Sequence, residues 1–352
     1  MITPQPSVTS ESPCLGWGIL STGRIAGVFA RDLPGSLLGQ LVAVGSRSAE
    51  SAERFAGEHG IDPEHAHGSI EALLSDDAVD AVYVASPHPM HCAGVVAALR
   101  AGKHVLCEKP IAMSLAELEA MQTAARENSR TLMEAWMYRC HPQTKRLVEL
   151  VRDGSIGELR HIQGTFSFAA TYDPAGRLWN KALGGGGILD VGGYPLSYAR
   201  LLAGVAQDRG FADPVTLAGV GVLHPESGVD TQASAVLQFA GGVTAAITCG
   251  TLAHQENVVR IYGTKGWVLV PSPYIVRRDA GPTELHLYRG DHATPEIITV
   301  SADRGTYAYE ADAFAAAVQS GAAEVPECTR ADSHGNLGGQ LEWCRQLGLN
   351  YV

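Results

Sequence analysis

From Leu15 onward the chain alternates short apolar runs with longer amphipathic stretches. The runs are LGWGIL from Leu15, QLVAVGS from Gln40, DAVYVAS from Asp80, KHVLCE from Lys103 and TLMEA from Thr131. Each has the length of a strand, and a strand apolar on both sides must be covered on both sides. Between them RIAGVFARDL, SAESAERFAGEHG, HCAGVVAALRAG and SLAELEAMQTAAREN carry helical spacing. Ser114 and Glu117 open the last of these in capping-box register. The alternation predicts a doubly wound parallel α/β domain over residues 14–138, behind a mobile tail at 1–13.

The pattern then changes. After a helix at HPQTKRLVELVRDG come ELRHIQGTFSFAA, TLAGVGVLH, TQASAVLQFA, GVTAAITCG, NVVRIYG and WVLVP, separated by glycine-rich turns. Several alternate apolar with polar, which predicts an open, mainly antiparallel sheet with one buried face. One long helix is expected around ILDVGGYPLSYARLLAG, with others at ADAFAAAVQSG and NLGGQLEWCRQLG. This second α/β domain spans 139–335, and the helix 336–348 can pack back on the first domain.

Composition narrows the function classes. The chain has 352 residues, 45% apolar and 18% charged, so it can bury a large core. Its net charge of −11, without a basic block, argues against a nucleic-acid partner. No stretch approaches a membrane span, and the beginning lacks the features of an export signal, which points to the cytoplasm. Seven scattered cysteines, none in C-x-x-C, suit reduced thiols. His65 and His67 stand as H-x-H with no third ligand near them in sequence, so no metal is expected.

Glycine is abundant, 40 residues, and clusters where a backbone could approach a ligand. The first strand ends Ser21-Thr22-Gly23-Arg24-Ile25-Ala26, a G-x-G-x-x-G/A fingerprint with Ser21 at its first glycine. Such a turn is either purely structural or a cradle for pyrophosphate at a helix N-terminus. The second strand ends Ser46-Arg47-Ser48, where an NAD site would carry an acid. A guanidinium and two hydroxyls suit the 2′-phosphate of NADP better; the alternative is a solvated arginine at a strand end. The fourth run closes Cys107-Glu108-Lys109-Pro110, aiming a lysine at the crevice where such sheets bind ligands. Gly184 to Gly187 lead into Ile188-Leu189-Asp190-Val191-Gly192-Gly193-Tyr194, and Asp190 and Tyr194 would share one helical face.

GILSTGRIA, the strand ending SRS, VYVASPHPMH, AGKHVLCEKP, EAWMYRCHP and GGGGILDVGGYP, in this order, resemble the glucose–fructose oxidoreductase, inositol dehydrogenase and rhizopine-catabolism (GFO/IDH/MocA) family. The resemblance spans most of residues 15–270. It implies an N-terminal Rossmann domain, a C-terminal open-sheet domain often used for dimerisation, and pyridine-nucleotide chemistry on a secondary alcohol or carbonyl. By motif, Lys109, Asp190 and Tyr194 become the catalytic set. Ser21, Thr22, Gly23, Arg24, Ile25, Ser46, Arg47, Ser48, Ser86, His91, Glu108, Lys109 and Pro110 become cofactor contacts. Arg177 and Trp179 are placed near substrate, and His88 is expected to face solvent. The family's commoner histidine at position 194 is replaced by tyrosine, as in its dihydrodiol dehydrogenase and D-xylose dehydrogenase branch. That favours an NADP-dependent enzyme acting on a sugar, keto-sugar or dihydrodiol over an NAD-dependent inositol-type dehydrogenase. It also favours an enzyme over a non-catalytic nucleotide sensor, which would have no reason to keep all three residues. The phenol of Tyr194 is expected to be lowered by the Lys109 ammonium. The expected assembly is a homodimer or higher homo-oligomer.

Overall fold

Strands buried on both faces pair best with one another under a helical cover, and the first half does this. The computed structural model describes residues 14–277, 279–290 and 293–351; the tail expected at 1–13 lies outside them. In order, the first half contains β1 (Leu15–Leu20), α1 (Arg24–Asp32), β2 (Gly39–Gly45), α2 (Ala49–His59), β3 (Ala66–His67), α3 (Ile70–Leu74), β4 (Ala81–Val84), α4 (His91–Arg100), β5 (His104–Glu108), α5 (Leu115–Glu127) and β6 (Leu132–Ala135). The strands form one parallel sheet in the order β3-β2-β1-β4-β5-β6, the dinucleotide-binding order. Every residue of β1, β4 and β6 is buried. Ser48, Ser69 and Ser114 cap α2, α3 and α5 by accepting a backbone N–H.

The second half runs α6 (Met137–Cys140), α7 (Pro142–Arg152), β7 (Leu159–Ser167), α8 (Gly193–Val205), β8 (Pro214–Leu223), β9 (Asp230–Phe239), β10 (Thr244–Gly250), β11 (Val259–Gly263), β12 (Gly266–Val270), β13 (Thr283–Arg289), β14 (Glu296–Val300), α9 (Thr306–Gln319) and α10 (Arg330–Gln346). Its sheet has eight strands in the order β14-β13-β12-β11-β7-β10-β9-β8. All pairs are antiparallel except β7 with β10. The expected mainly antiparallel sheet is therefore present, widened by β13 and β14. Every residue of α8 is buried, against β7, α7 and α10. The opposite face of the sheet is open at its β8 end, where Val220, Val222 and Val236 are more than half exposed.

The expected last helix is longer than its apolar pattern, and it packs on both halves. α10 meets α5 and β6 on one side and α8 and β8 on the other. Leu337 joins the core of the first sheet, whereas Trp343 joins the cluster reaching Tyr194 and Leu237. At its first turn Asp332 is buried between two guanidiniums. Its Oδ2 accepts from Arg139 at 2.6 Å and its Oδ1 from Arg200 at 2.5 Å. Arg139 also reaches Ser197, and Arg200 reaches Asn336 and Asp213.

Removing one member of such a buried ion cluster leaves charges without a partner. Asp332→Ala is expected to cost about 3–5 kcal/mol in urea unfolding. A loss below about 1 kcal/mol would mean that water reaches the two arginines.

Candidate active site

In a doubly wound sheet the crevice lies at the carboxyl ends of the strands, where the strand order reverses. Here β1, β4 and β5 end beside a cavity of about 780 Å³, closed from the other half by residues before and within α8 and by β7. Ser21, Gly23, Arg24 and Ile25 line it from the turn after β1. Ser21 adopts φ 102°, the left-handed region that a glycine would take without strain, so the tight turn survives the departure from the fingerprint. Gly23 stands at the N-cap of α1 with no side-chain cap, which leaves the first-turn N–H groups to be satisfied by something else. The Ser86 hydroxyl, after β4, is buried without a hydrogen-bond partner.

Lys109 follows β5, and its ammonium donates to the Asp190 backbone oxygen at 2.5 Å. It also sits 3.8 Å from Asp190 Oδ1 and 5.1 Å from the centre of the Tyr194 ring. Arg177 donates to the same Oδ1 at 2.7 Å. Burial works to raise the Asp190 carboxyl, but the Lys109 and Arg177 cations outweigh it and hold the group below its ordinary value. Asp190 is thus a fixed anion between two cations. Glu108, buried beside it, accepts from the Tyr83 hydroxyl and the Lys109 N–H, and burial raises its carboxyl.

Asp190 and Tyr194 do not share a face of one regular helix. A π-turn over Ile188–Gly192 precedes α8 and inserts extra backbone between them, yet both line the cavity. Tyr194 stands edge-on to Trp136, with its hydroxyl 3.7 Å from Met137 Sδ. The expected lowering of its phenol is overturned. Burial acts first, then the Tyr307, Glu108, Asp190 and Glu310 side chains, and together they push it well above the ordinary tyrosine value. The Lys109 ammonium, 5.1 Å from the ring centre, does not offset them.

Other expected positions divide. Arg177 and Glu108 line the cavity; Thr22 and Pro110 flank lining residues without lining it. His88 was expected in solvent but is buried, lines the cavity and meets the Gly184 carbonyl at 3.1 Å. Burial drives its imidazole well below the ordinary value, so it is neutral. His91 is not a cavity residue. It is fully buried, and its ring nitrogens lie 3.0 Å from the Pro110 carbonyl and 2.8 Å from that of Ser86, bracing the two loops that carry Lys109 and Ser86. Trp179 is likewise buried off the cavity, its Nε1 donating to the Thr171 carbonyl. Ser46, Arg47 and Ser48 lie at the exposed end of β2, adjoining the glycine turn because Ser21 N donates to the Gly45 carbonyl.

Residues that pattern reading missed come from the second half: Phe166, His254, Asn257 and Tyr307 line the cavity from strands and loops far apart in sequence. Asp230, at the start of β9, is another. Its Oδ2 accepts from Ile188 N at 2.8 Å and so anchors the π-turn. A Cβ on Gly186, which has φ 104°, would stand 2.3 Å from Asp230 Oδ1, so only glycine fits there.

Comparison with known proteins agrees with this geometry. Residues 15–136 match an oxidoreductase family with an NAD-binding Rossmann fold, and residues 144–269 match the GFO/IDH/MocA C-terminal domain. The trans-1,2-dihydrobenzene-1,2-diol dehydrogenase of Mus musculus is 37% identical over 274 residues, 77% of each chain. An aldose-aldose oxidoreductase from Caulobacter crescentus, solved with glycerol, superposes with a TM-score of 0.85 at 27% identity, covering 95% of this chain and 97% of that one. A 3-ketoreductase from Actinomadura kijaniata, solved with TDP-benzene and NADP, gives 0.77 at 29% identity over 96% and 98%.

Burial holds the Asp230 carboxyl up to about 7. The fold therefore favours its protonated form. That contribution to stability is complete below about pH 4 and is lost as pH rises toward 7. Asp230→Asn is expected to flatten this stretch of a Tm-against-pH curve; an unchanged slope would show that the carboxyl does not titrate there.

Proposed function

The chain belongs to the GFO/IDH/MocA oxidoreductase family, and from that premise we propose an NADP-dependent enzyme that moves hydride between the nicotinamide and a secondary alcohol or carbonyl carbon of a sugar, keto-sugar or dihydrodiol. The observation that carries the reading is the meeting of Lys109, Asp190 and Tyr194 in the cavity that the Ser21–Ile25 turn also lines. The substrate class is supported by the names of the dihydrodiol dehydrogenase and aldose-aldose oxidoreductase relatives.

The residues present suit a dinucleotide. The uncapped N-terminus of α1 offers N–H groups to pyrophosphate, and the orphaned Ser86 hydroxyl offers a polar contact beside them. Ser46, Arg47 and Ser48 present a cation and two hydroxyls where a 2′-phosphate would lie, with no carboxylate among the three. When bound, the dinucleotide supplies hydride in one direction and accepts it in the other.

The chain's own part is placement and proton transfer. Tyr194 keeps its proton at neutral pH, so it acts as the acid that protonates a substrate carbonyl oxygen and recovers that proton in the reverse direction. Lys109, held by Asp190, brings a positive charge to the same wall, where negative charge develops on that oxygen. Arg177 fixes the other side of Asp190, and neutral His88 adds no competing charge.

The reading includes a homodimer and a cytoplasmic setting. The open valine-bearing face of β8 and β9 supports the first, and seven free thiols support the second.

Tyr194→Phe is expected to lower kcat by about 10²–10⁴ while NADPH still binds by fluorescence titration. A variant that turns over at the parent rate would remove Tyr194 from the chemistry. Replacing Arg47 by Ala is expected to weaken NADP by about tenfold or more and leave NAD unchanged, the loss of one charge-assisted phosphate contact. Equal weakening of both cofactors would place Arg47 elsewhere.

A further inference from the structure

We propose that His65, His67 and Asp76 form a binding site for a divalent transition-metal ion of the zinc type, at the edge of the first sheet and outside the catalytic cavity. The H-x-H pair found no third ligand in the sequence because that ligand lies across a helix. His65 ends a short 3-10 turn and His67 ends β3. Ala66, the one residue between them, is extended, and the two rings converge on a single carboxylate oxygen. Asp76 follows α3, and its Oδ2 lies 2.6 Å from His65 Nδ1 and 2.8 Å from His67 Nε2. Among the described residues this is the one group of three candidate ligands whose donor atoms all lie within 4.8 Å of one another.

The chemistry of the three favours a borderline cation. Two imidazoles and a carboxylate suit Zn²⁺, Co²⁺, Ni²⁺ or Cu²⁺, whereas Mg²⁺ and Ca²⁺ prefer oxygen. Bonds of roughly 2.0–2.2 Å in a tetrahedral shell put donor atoms roughly 3.3 Å apart, so each imidazole needs to move from the carboxylate by only about 0.5–0.7 Å. The carboxylate is already oriented, since Asp76 Oδ1 accepts from Ala78 N at 2.9 Å. The loop that carries it is held independently, because the Lys103 ammonium donates to the backbone carbonyls of Asp76 and Val79 at 2.9 and 2.8 Å. Asp62 and Glu64 add negative charge beside His65.

The site is open on one side. The side chains of His65 and His67 are 30% and 17% exposed and that of Asp76 is 6% exposed. Water can therefore enter and complete the coordination shell, and an ion has a path in. No residue of the trio lines the cavity that holds Lys109, so the ion would be structural. It would brace the sheet edge next to the Ser46–Ser48 turn, because the His67 carbonyl accepts from Ser46 N at 3.0 Å.

The test is titration of metal-free full-length protein with Co²⁺ and Zn²⁺. Visible absorption of bound Co²⁺, dialysis stoichiometry and the melting temperature are read in parallel. The expected result is one ion per chain, a raised melting temperature, and affinity reduced at least about 100-fold in both His67→Ala and Asp76→Asn. Asp76→Asn keeps an acceptor for one imidazole and so preserves the fold if His67→Ala does not. Absence of saturable binding in the parent protein, or binding that a folded variant of either kind retains unchanged, would overturn the site and leave the trio as a hydrogen-bonded brace.

Discussion

The carboxylate of Asp332, shared between Arg139 and Arg200, ties α10, the helix that packs on both halves, to α6 and α8. Arg139 lies in α6, directly after the last strand of the parallel sheet, and Arg200 lies in α8, directly after the π-turn that carries Asp190. Two guanidiniums at full burial would be prohibitive in an apolar interior, and the anion between them, with Asp213 on the far side of Arg200, makes the arrangement possible. The result is a fixed distance between the end of the first sheet and the start of α8. Lys109 arrives at the cavity from one side of that junction and Tyr194 from the other. The two meet there at 5.1 Å.

Within the cavity the same principle works at shorter range. Asp190 draws Lys109 and Arg177 together and stays ionised, while the burial that surrounds it keeps His88 neutral and Tyr194 protonated. One strong anion thus sits between two cations, beside a neutral imidazole and a protonated phenol. The lysine beside the ring does not bring the tyrosine's acidity down.

Most of the architecture was legible because it rests on local rules. Buried runs such as AVYV, and capping serines such as Ser114, announce strands and helices wherever they stand. The glycine turn, Lys109 and Asp190 were also legible, since each follows a strand or a glycine run in a set order. What escaped depends on contacts far apart in the chain. His91 differs from a ligand-facing histidine only because Pro110 and Ser86 meet its two nitrogens, and no pattern around residue 91 says so. Asp230 anchors Ile188 across 42 residues, and Asp76 meets His67 over a helix of five residues. The acidity of Tyr194 was misjudged for a related reason. The sequence shows that a lysine is near, but not that it faces the ring while three carboxyl groups and Tyr307 crowd in from elsewhere.

The placement of α10 has a bearing on the order in which the chain can mature. Leu337 belongs to the core of a sheet whose strands end near residue 135, some two hundred residues before it. During synthesis the parallel sheet is complete long before its last covering side chain leaves the ribosome, and an apolar stripe stays wet in the interval. Closing this core brings together segments about two hundred residues apart, at a cost in loop-closure entropy. The helix that packs on both halves is thus made about two hundred residues after the sheet it covers.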